Sequence, residues 1–198
     1  RGSRGELNKW RAELQHSPKQ QYIAGTHAVR VLNWAVEEGF LTEHHCHRLA
    51  RLYRVDRSEI VWTRADRAAV DAIAPDWVRR LFCVACETGL RPVDLVRLTM
   101  AHSEATPNAR RLRVRTSKWG RVAHTPVTPA PAEVIDSTPA GRLLILTNAS
   151  GNALTEYRAS EGLRQRQDKA GMSSELRLQD ARGTAATPIQ TISSNTST

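Results

Sequence analysis

The chain has 198 residues, enough for one domain with a real core or two small ones, and its hydrophobic content of 40% and charged content of 25% are ordinary for a globular protein. Its 29 Lys and Arg against 20 Asp and Glu leave a formal charge of +9, a surplus that points to a polyanionic partner because neutralising phosphates releases counterions. No apolar run approaches the roughly 20 residues that span a bilayer, there is no secretory apolar segment, and three cysteines are an odd number for a disulfide framework; the expectation is a cytoplasmic protein without a membrane partner.

In chain order, Leu7, Trp10 and Leu14 suggest the tail of a first helix. Ser17-Pro18 is a helix start, with Ser as N-cap and Pro in the first turn. Tyr22, Val29, Leu32 and Val36 follow at helical spacing, and Gly39 stands where a C-terminal glycine belongs. From Glu43 to Val61 the chain is rich in Arg and His, with Leu49, Leu52 and Val55 interspersed, which reads as a last helix and an exposed linker. Thr63 and Asp66 form a capping box for a helix with Ala69, Val70 and Ile73 as its buried stripe. Pro75-Asp76 starts another, with Trp77, Leu81, Val84 and Ala85 on one face and Gly89 at its end. Pro92 opens a short helix carrying Leu95 and Leu98.

The texture then changes. Leu112, Val114 and Val122 alternate with basic residues, a period of two, and Ser117-Lys118-Trp119-Gly120 reads as the turn of a hairpin. A Pro/Ala-rich connector from Pro126 to Pro139 leads to a buried strand at Leu143–Leu146. Thr155 then caps a polar helix running to Ala170-Gly171. Helices, a short sheet and more helices, without alternating βαβ units, define an α+β fold.

Cys83-Val84-Ala85-Cys86 has the spacing of redox and zinc sites, but it lies in an apolar helix without a second ligand pair, so these are small core residues. His44, His45, Cys46 and His47 are too close in sequence for their side chains to converge from one helix face, and adventitious metal binding is the most they suggest. The remaining signal is three basic residues at structural junctions. Arg91 follows a helix-ending glycine, Lys118 sits on a hairpin turn, and Arg182 lies between a loop and a helix. Together they fit a phosphate clamp, in which guanidinium forks grip oxygens and an ammonium donates a proton.

With these residues in place, the chain resembles the tyrosine recombinases, the phage-integrase family. ETGLRPVDLVRLT (Glu87–Thr99) is similar to their first arginine box, with Asp94 as the acidic residue three places on. VRTSKWGRVAHTPVT is similar to the hairpin that carries their catalytic lysine, here Lys118, and LQDARGTAAT to their His-x-x-Arg box. The resemblance implies a mostly helical α+β catalytic domain with a small antiparallel sheet over residues 59–198. It also implies a partial helical bundle, the later part of a DNA-binding core-binding domain with its linker, over residues 1–58. In that family two arginines and a histidine bind the scissile phosphate, the lysine protonates the leaving 5′ oxygen, and a C-terminal tyrosine forms a 3′-phosphotyrosine without metal or other cofactor. The implied site is Arg91, Lys118, Gln179 and Arg182, the partner is double-stranded DNA, and a homo-oligomer on DNA is expected.

Two departures shape the functional expectation. Gln179 replaces the box histidine; it can donate to a phosphate oxygen but cannot shuttle a proton near neutral pH. The residues after Arg182 include no Tyr, His or Trp; Tyr22, Tyr53 and Tyr157 all precede the box, Tyr22 at a helix core position and the other two in regions where the family has no nucleophile. The sequence therefore predicts a truncated or degenerate recombinase that binds DNA without cleaving it, with an incomplete C-terminus. The alternatives are a DNA-binding regulator on the same fold and an active recombinase completed by another subunit.

Overall fold

Serine capping starts both helices of the N-terminal part. In the computed structural model, which describes residues 3–14, 17–47, 49–50, 57, 59–107 and 109–186, Ser3 caps α1 (Arg4–Glu13) and Ser17 caps α2 (Pro18–Glu37). Each hydroxyl accepts from the backbone N–H three residues on, and the Glu6 or Gln20 side chain accepts from the cap's own N–H. The chain divides into two units, Arg1–Asp56 and Arg57–Thr198.

In the first unit α1 and α2 pack together around a buried arginine. Arg11 donates to the Ala50 carbonyl at 3.1 Å and to Asn8 Oδ1 at 3.0 Å. Gly25 on α2 makes room for it, since a Cβ there would lie 2.8 Å from the Arg11 Cδ. Tyr22, Val29, Leu32 and Val36 are half-buried, as their spacing predicts. Of the helix expected after Glu43, residues 43–47 and 49–50 are irregular, and much of the rest, with Leu52 and Val55, lies outside the described residues. The reason for the irregularity is local. The buried His44 ring bonds Asn33 Oδ1 at 2.6 Å and accepts from the Cys46 N–H at 3.1 Å, occupying a backbone donor that a helix would need.

The second unit is built around α4 (Asp76–Thr88), whose Val78, Leu81, Phe82, Val84, Ala85 and Cys86 are buried. α3 (Arg64–Ile73) precedes it, with the Thr63–Asp66 capping box as expected. Only Val70 of its predicted stripe is buried; Ala69 and Ile73 are exposed, and Arg67 on the same helix pairs with Glu87 at 2.8 Å. Gly89 ends α4 in the left-handed conformation at φ 63°, and α5 (Pro92–Leu95) follows.

The sheet is antiparallel with order β1–β2–β3, formed by Ser103–Thr106, Ala109–Arg115 and Val122–Pro126. β1 escapes sequence reasoning because Ser-Glu-Ala-Thr carries no apolar alternation; it is held by its register, with Ser103 opposite Leu112 and Thr106 opposite Ala109. Two further expectations are corrected. The Pro/Ala-rich connector contains α6 (Pro129–Asp136), which places Pro in the first turn, where its missing N–H costs nothing, and buries Val134 and Ile135 on α4. Leu143–Leu146 is not a strand: Leu144 makes an isolated bridge to Thr99, Ile145 and Leu146 enter the core, and Leu143 is 72% exposed. A run of four apolar residues thus supplies core anchors to an irregular segment, because only one neighbouring chain offers it a bridge.

α7 (Glu156–Lys169), capped by Thr155, packs on α4 through a glycine. A Cβ on Gly162 would stand 2.1 Å from Trp77 Cη2, far inside contact distance. Gly162→Ala should therefore force Trp77 aside and lower stability by about 1–3 kcal/mol, the usual cost of overpacking, measured by urea unfolding.

Candidate functional site

The stretch that carries Arg182 is fixed from three sides. Leu178–Asp180 forms a 3-10 turn, and residues 181–186 continue as a helix. Asp180 is buried and pairs with Arg57 (Nε to Oδ1, 2.9 Å; Nη2 to Oδ2, 2.5 Å), while its Oδ2 also accepts from the Arg177 N–H at 2.8 Å. Trp62, which packs edge-on against Phe82, donates its indole N–H to the Arg177 carbonyl at 3.0 Å and its backbone N–H to Thr184 Oγ1 at 2.8 Å. Gly89 closes the third side. A Cβ there would meet the Ala185 Cβ at 3.1 Å and the Arg182 backbone at 3.8 Å, so the glycine admits the Arg182 helix to the end of α4, two residues before Arg91.

The result is two guanidiniums facing one another's field. Partial burial of Arg182 and then the charge of Arg91 push the Arg182 pKa down, while Asp94 opposes them. Asp94 is only 2% exposed. Its Oδ1 accepts from the Ser117 N–H at 2.9 Å, and its Oδ2, also buried, has no hydrogen-bond partner among the described residues. One carboxylate therefore acts favourably on Arg182 and, by a hydrogen bond, fixes the turn that carries Lys118.

That turn is closed by the Thr116 N–H donating to Arg121 O at 2.9 Å and the Gly120 N–H to Thr116 O at 3.0 Å, with Gly120 at φ 62°. Lys118 is exposed at its tip, with Nζ 5.4 Å from the centroid of the Trp119 ring. Charge along the sheet is graded. Arg110 pairs with Asp136 at 2.6 Å, and Arg111 and Arg113 share Glu104 at 3.1 and 3.8 Å. Nearer the tip Arg115, Lys118 and Arg121 are exposed and, among the described residues, have no carboxylate in salt-bridge range.

Gln179 is exposed and faces an adjoining cavity of about 310 Å³. Pro92, Tyr157, Ser160 and Arg177 share its walls, and Arg91, Lys118 and Arg182 are not among its lining residues. Asp94 thus bonds the Lys118 turn and, with Arg91, acts electrostatically on Arg182, while Gln179 lines a separate cavity. Tyr157, to which no role fell in the sequence analysis, lines Gln179's cavity and is 72% exposed. Of the other tyrosines, Tyr22 is on α2 and Tyr53 lies outside the described residues.

The two cysteine motifs behave as small-residue chemistry. Burial raises the Cys83 thiol to about 11 and the Cys86 thiol to about 12, leaving both protonated and unreactive at neutral pH. Burial, helped by His47 and His45, pushes the His44 pKa down. Among the described residues no three His, Cys, Asp or Glu side chains converge to hold a metal ion, and no helix is long and apolar enough to cross a membrane.

No family model and no curated protein matches the chain. Solved structures do. A lambda integrase(75-356) dimer bound to a COC′ core site is 18% identical with a TM-score of 0.74, over 93% of this chain and 70% of that one. The XerH site-specific recombinase in a post-cleavage complex with palindromic difH substrate is 12% identical with a TM-score of 0.73, over 98% and 60%. Another lambda integrase dimer on a COC′ core site is 18% identical with a TM-score of 0.71, and this chain spans 56% of its length. The chain has the tyrosine-recombinase fold, a mostly helical α+β architecture with a small antiparallel sheet. These three neighbours are an integrase and a site-specific recombinase, each solved bound to DNA or its substrate.

Replacing Asp94 by Ala should remove the acceptor of the Ser117 N–H and free the hairpin tip, at a cost of about 1.5–3 kcal/mol in urea unfolding, the usual contribution of a hydrogen bond to a charged group. Asp94→Asn, which keeps an acceptor, should recover most of that stability while leaving the arginine pair without its counter-charge.

Proposed function

We propose that this chain binds double-stranded DNA as a protein of the tyrosine-recombinase type, holding a backbone phosphate between Arg91 and Arg182, and does not itself cleave the strand. The observation that carries the reading is the arginine pair. Two guanidiniums whose fields oppose one another, with a single buried carboxylate beside them, are relieved by an anion that accepts from both. A phosphate diester is such an anion, and the formal charge of +9 favours a polymer of them. Lys118, on its tethered turn, adds a cationic contact to the DNA backbone in this reading, and Gln179 is a neutral hydrogen-bond donor to a neighbouring oxygen. Residues 1–58 act as a helical DNA-binding part and residues 59–198 as the phosphate-binding part; several copies assemble on DNA in the cytoplasm.

What supports the inactive half of the reading is the chemistry of the set. Arginine, lysine and glutamine stabilise and position a phosphoryl group but do not attack it. One observation favours an active enzyme instead: Tyr157 shares a cavity with Gln179. A regulator that reuses the fold would bind DNA in the same way and differ only in what the bound complex controls.

Fluorescence anisotropy with a labelled duplex should show binding that weakens steeply between about 50 and 200 mM salt. Arg91→Ala and Arg182→Ala should each lower affinity about tenfold and reduce the slope of log affinity against log salt by about one. Incubation with a nicked suicide substrate should leave no covalent adduct on a denaturing gel. An adduct would overturn the inactive reading, and peptide mapping to Tyr157 would identify the nucleophile. Absence of DNA binding at the lowest salt would overturn the reading as a whole.

A further inference from the structure

We infer that Trp119 is a nucleobase contact, stacking its indole on a base that has come out of the duplex stack beside the phosphate held by Arg91 and Arg182; this rests on the phosphate-binding reading above. Trp119 is 70% exposed at the tip of a closed turn. Lys118 Nζ lies over its ring, 5.4 Å from the centroid, which leaves the opposite face of the indole open. Single exposed apolar side chains are ordinary; what sets Trp119 apart is its place on a fixed turn among cations.

The turn makes the ring a prepared contact. Gly120 holds a left-handed conformation and the Thr116 backbone closes the loop at both its N–H and its carbonyl, so the tip loses little freedom on binding. The Ser117 N–H bond to Asp94 at 2.9 Å then fixes that tip to the carboxylate three residues beyond Arg91. Wherever the arginine pair holds a phosphate, the indole is delivered close by.

The surroundings select the partner. Arg115, Lys118 and Arg121 flank Trp119 in the hairpin sequence, exposed and, among the described residues, without carboxylates in salt-bridge range. The covering molecule must therefore be strongly anionic and must also offer a flat apolar face. Nucleic acid combines the two, as phosphates alternate with bases whose π faces stack on aromatic side chains whatever their sequence. In an intact duplex those faces are already stacked on one another, so the contact is strongest where a base is unpaired or its step is easily opened.

The test compares anisotropy on a short mixed-sequence duplex with that on the same duplex carrying one unpaired base, for the full chain and for Trp119→Ala and Trp119→Phe. The parent protein should prefer the duplex with the unpaired base. Trp119→Ala should lose that preference, weakening about fivefold to a hundredfold on this DNA, the range of single base–aromatic stacks. Trp119→Phe should retain most of it. The salt slope should be unchanged in both variants, because no charge is removed, and their unfolding curves should match the parent's. Equal weakening on both DNAs, or none on either, overturns the inference while leaving the phosphate reading intact. Failure of the parent protein to bind any DNA overturns both.

Discussion

The buried carboxylate of Asp94 organises the second unit's functional end. It is nearly inaccessible to solvent, it fixes the Lys118 turn by accepting from Ser117, and it offsets the repulsion between Arg91 and Arg182. An ionised group is costly to bury unless cations and donors surround it. Here the compensation comes from separate stretches of chain, so the same charge that would otherwise destabilise the core holds a helix start, a hairpin and a distant helix in one place. The glycine at position 89 is the steric counterpart of that electrostatic bond, since it lets the last of these helices approach.

Much of the fold was legible because the local signals were unambiguous. Ser17-Pro18, Thr63 with Asp66, Pro75-Asp76 and Thr155 all start helices where capping chemistry places them, and Gly89 ends one in the left-handed region that glycine tolerates. Failures occurred where long-range contacts decide. β1 is a strand only because β2 pairs with it, Leu143–Leu146 is irregular despite its composition, and α6 hides in a segment whose prolines look like a linker. His44 marks a different case, as its ring accepts from nearby backbone where residues 43–47 run irregular.

The site was legible in part for the same reasons. Arg91, Lys118 and Arg182 are visible in sequence as basic residues at junctions, and the structure brings Arg91 and Arg182 together beside the Lys118 turn. Asp94 is visible as an acidic residue of the first arginine box, but nothing in a linear reading gives it a bond to Ser117, 23 positions away. Nor does it show that Tyr157 and Gln179 share a cavity wall, because α7 and the 3-10 turn meet only in the folded chain. The Arg57–Asp180 pair, separated by 123 positions, is beyond any periodicity argument.

The graded charge along β2 has a mechanical consequence. Arg110, Arg111 and Arg113 are paired with two carboxylates at one end, whereas Arg115, Lys118 and Arg121 have, among the described residues, none in salt-bridge range at the other. Such a ladder is a dipole as well as a net charge, and in the field of a polyanion it feels a torque as well as a pull. In the DNA-binding reading, molecules arriving in random orientations would be turned during approach so that the hairpin tip leads. The carboxylates at the other end would then contribute to recognition without touching the ligand, by making the wrong end of the sheet unattractive.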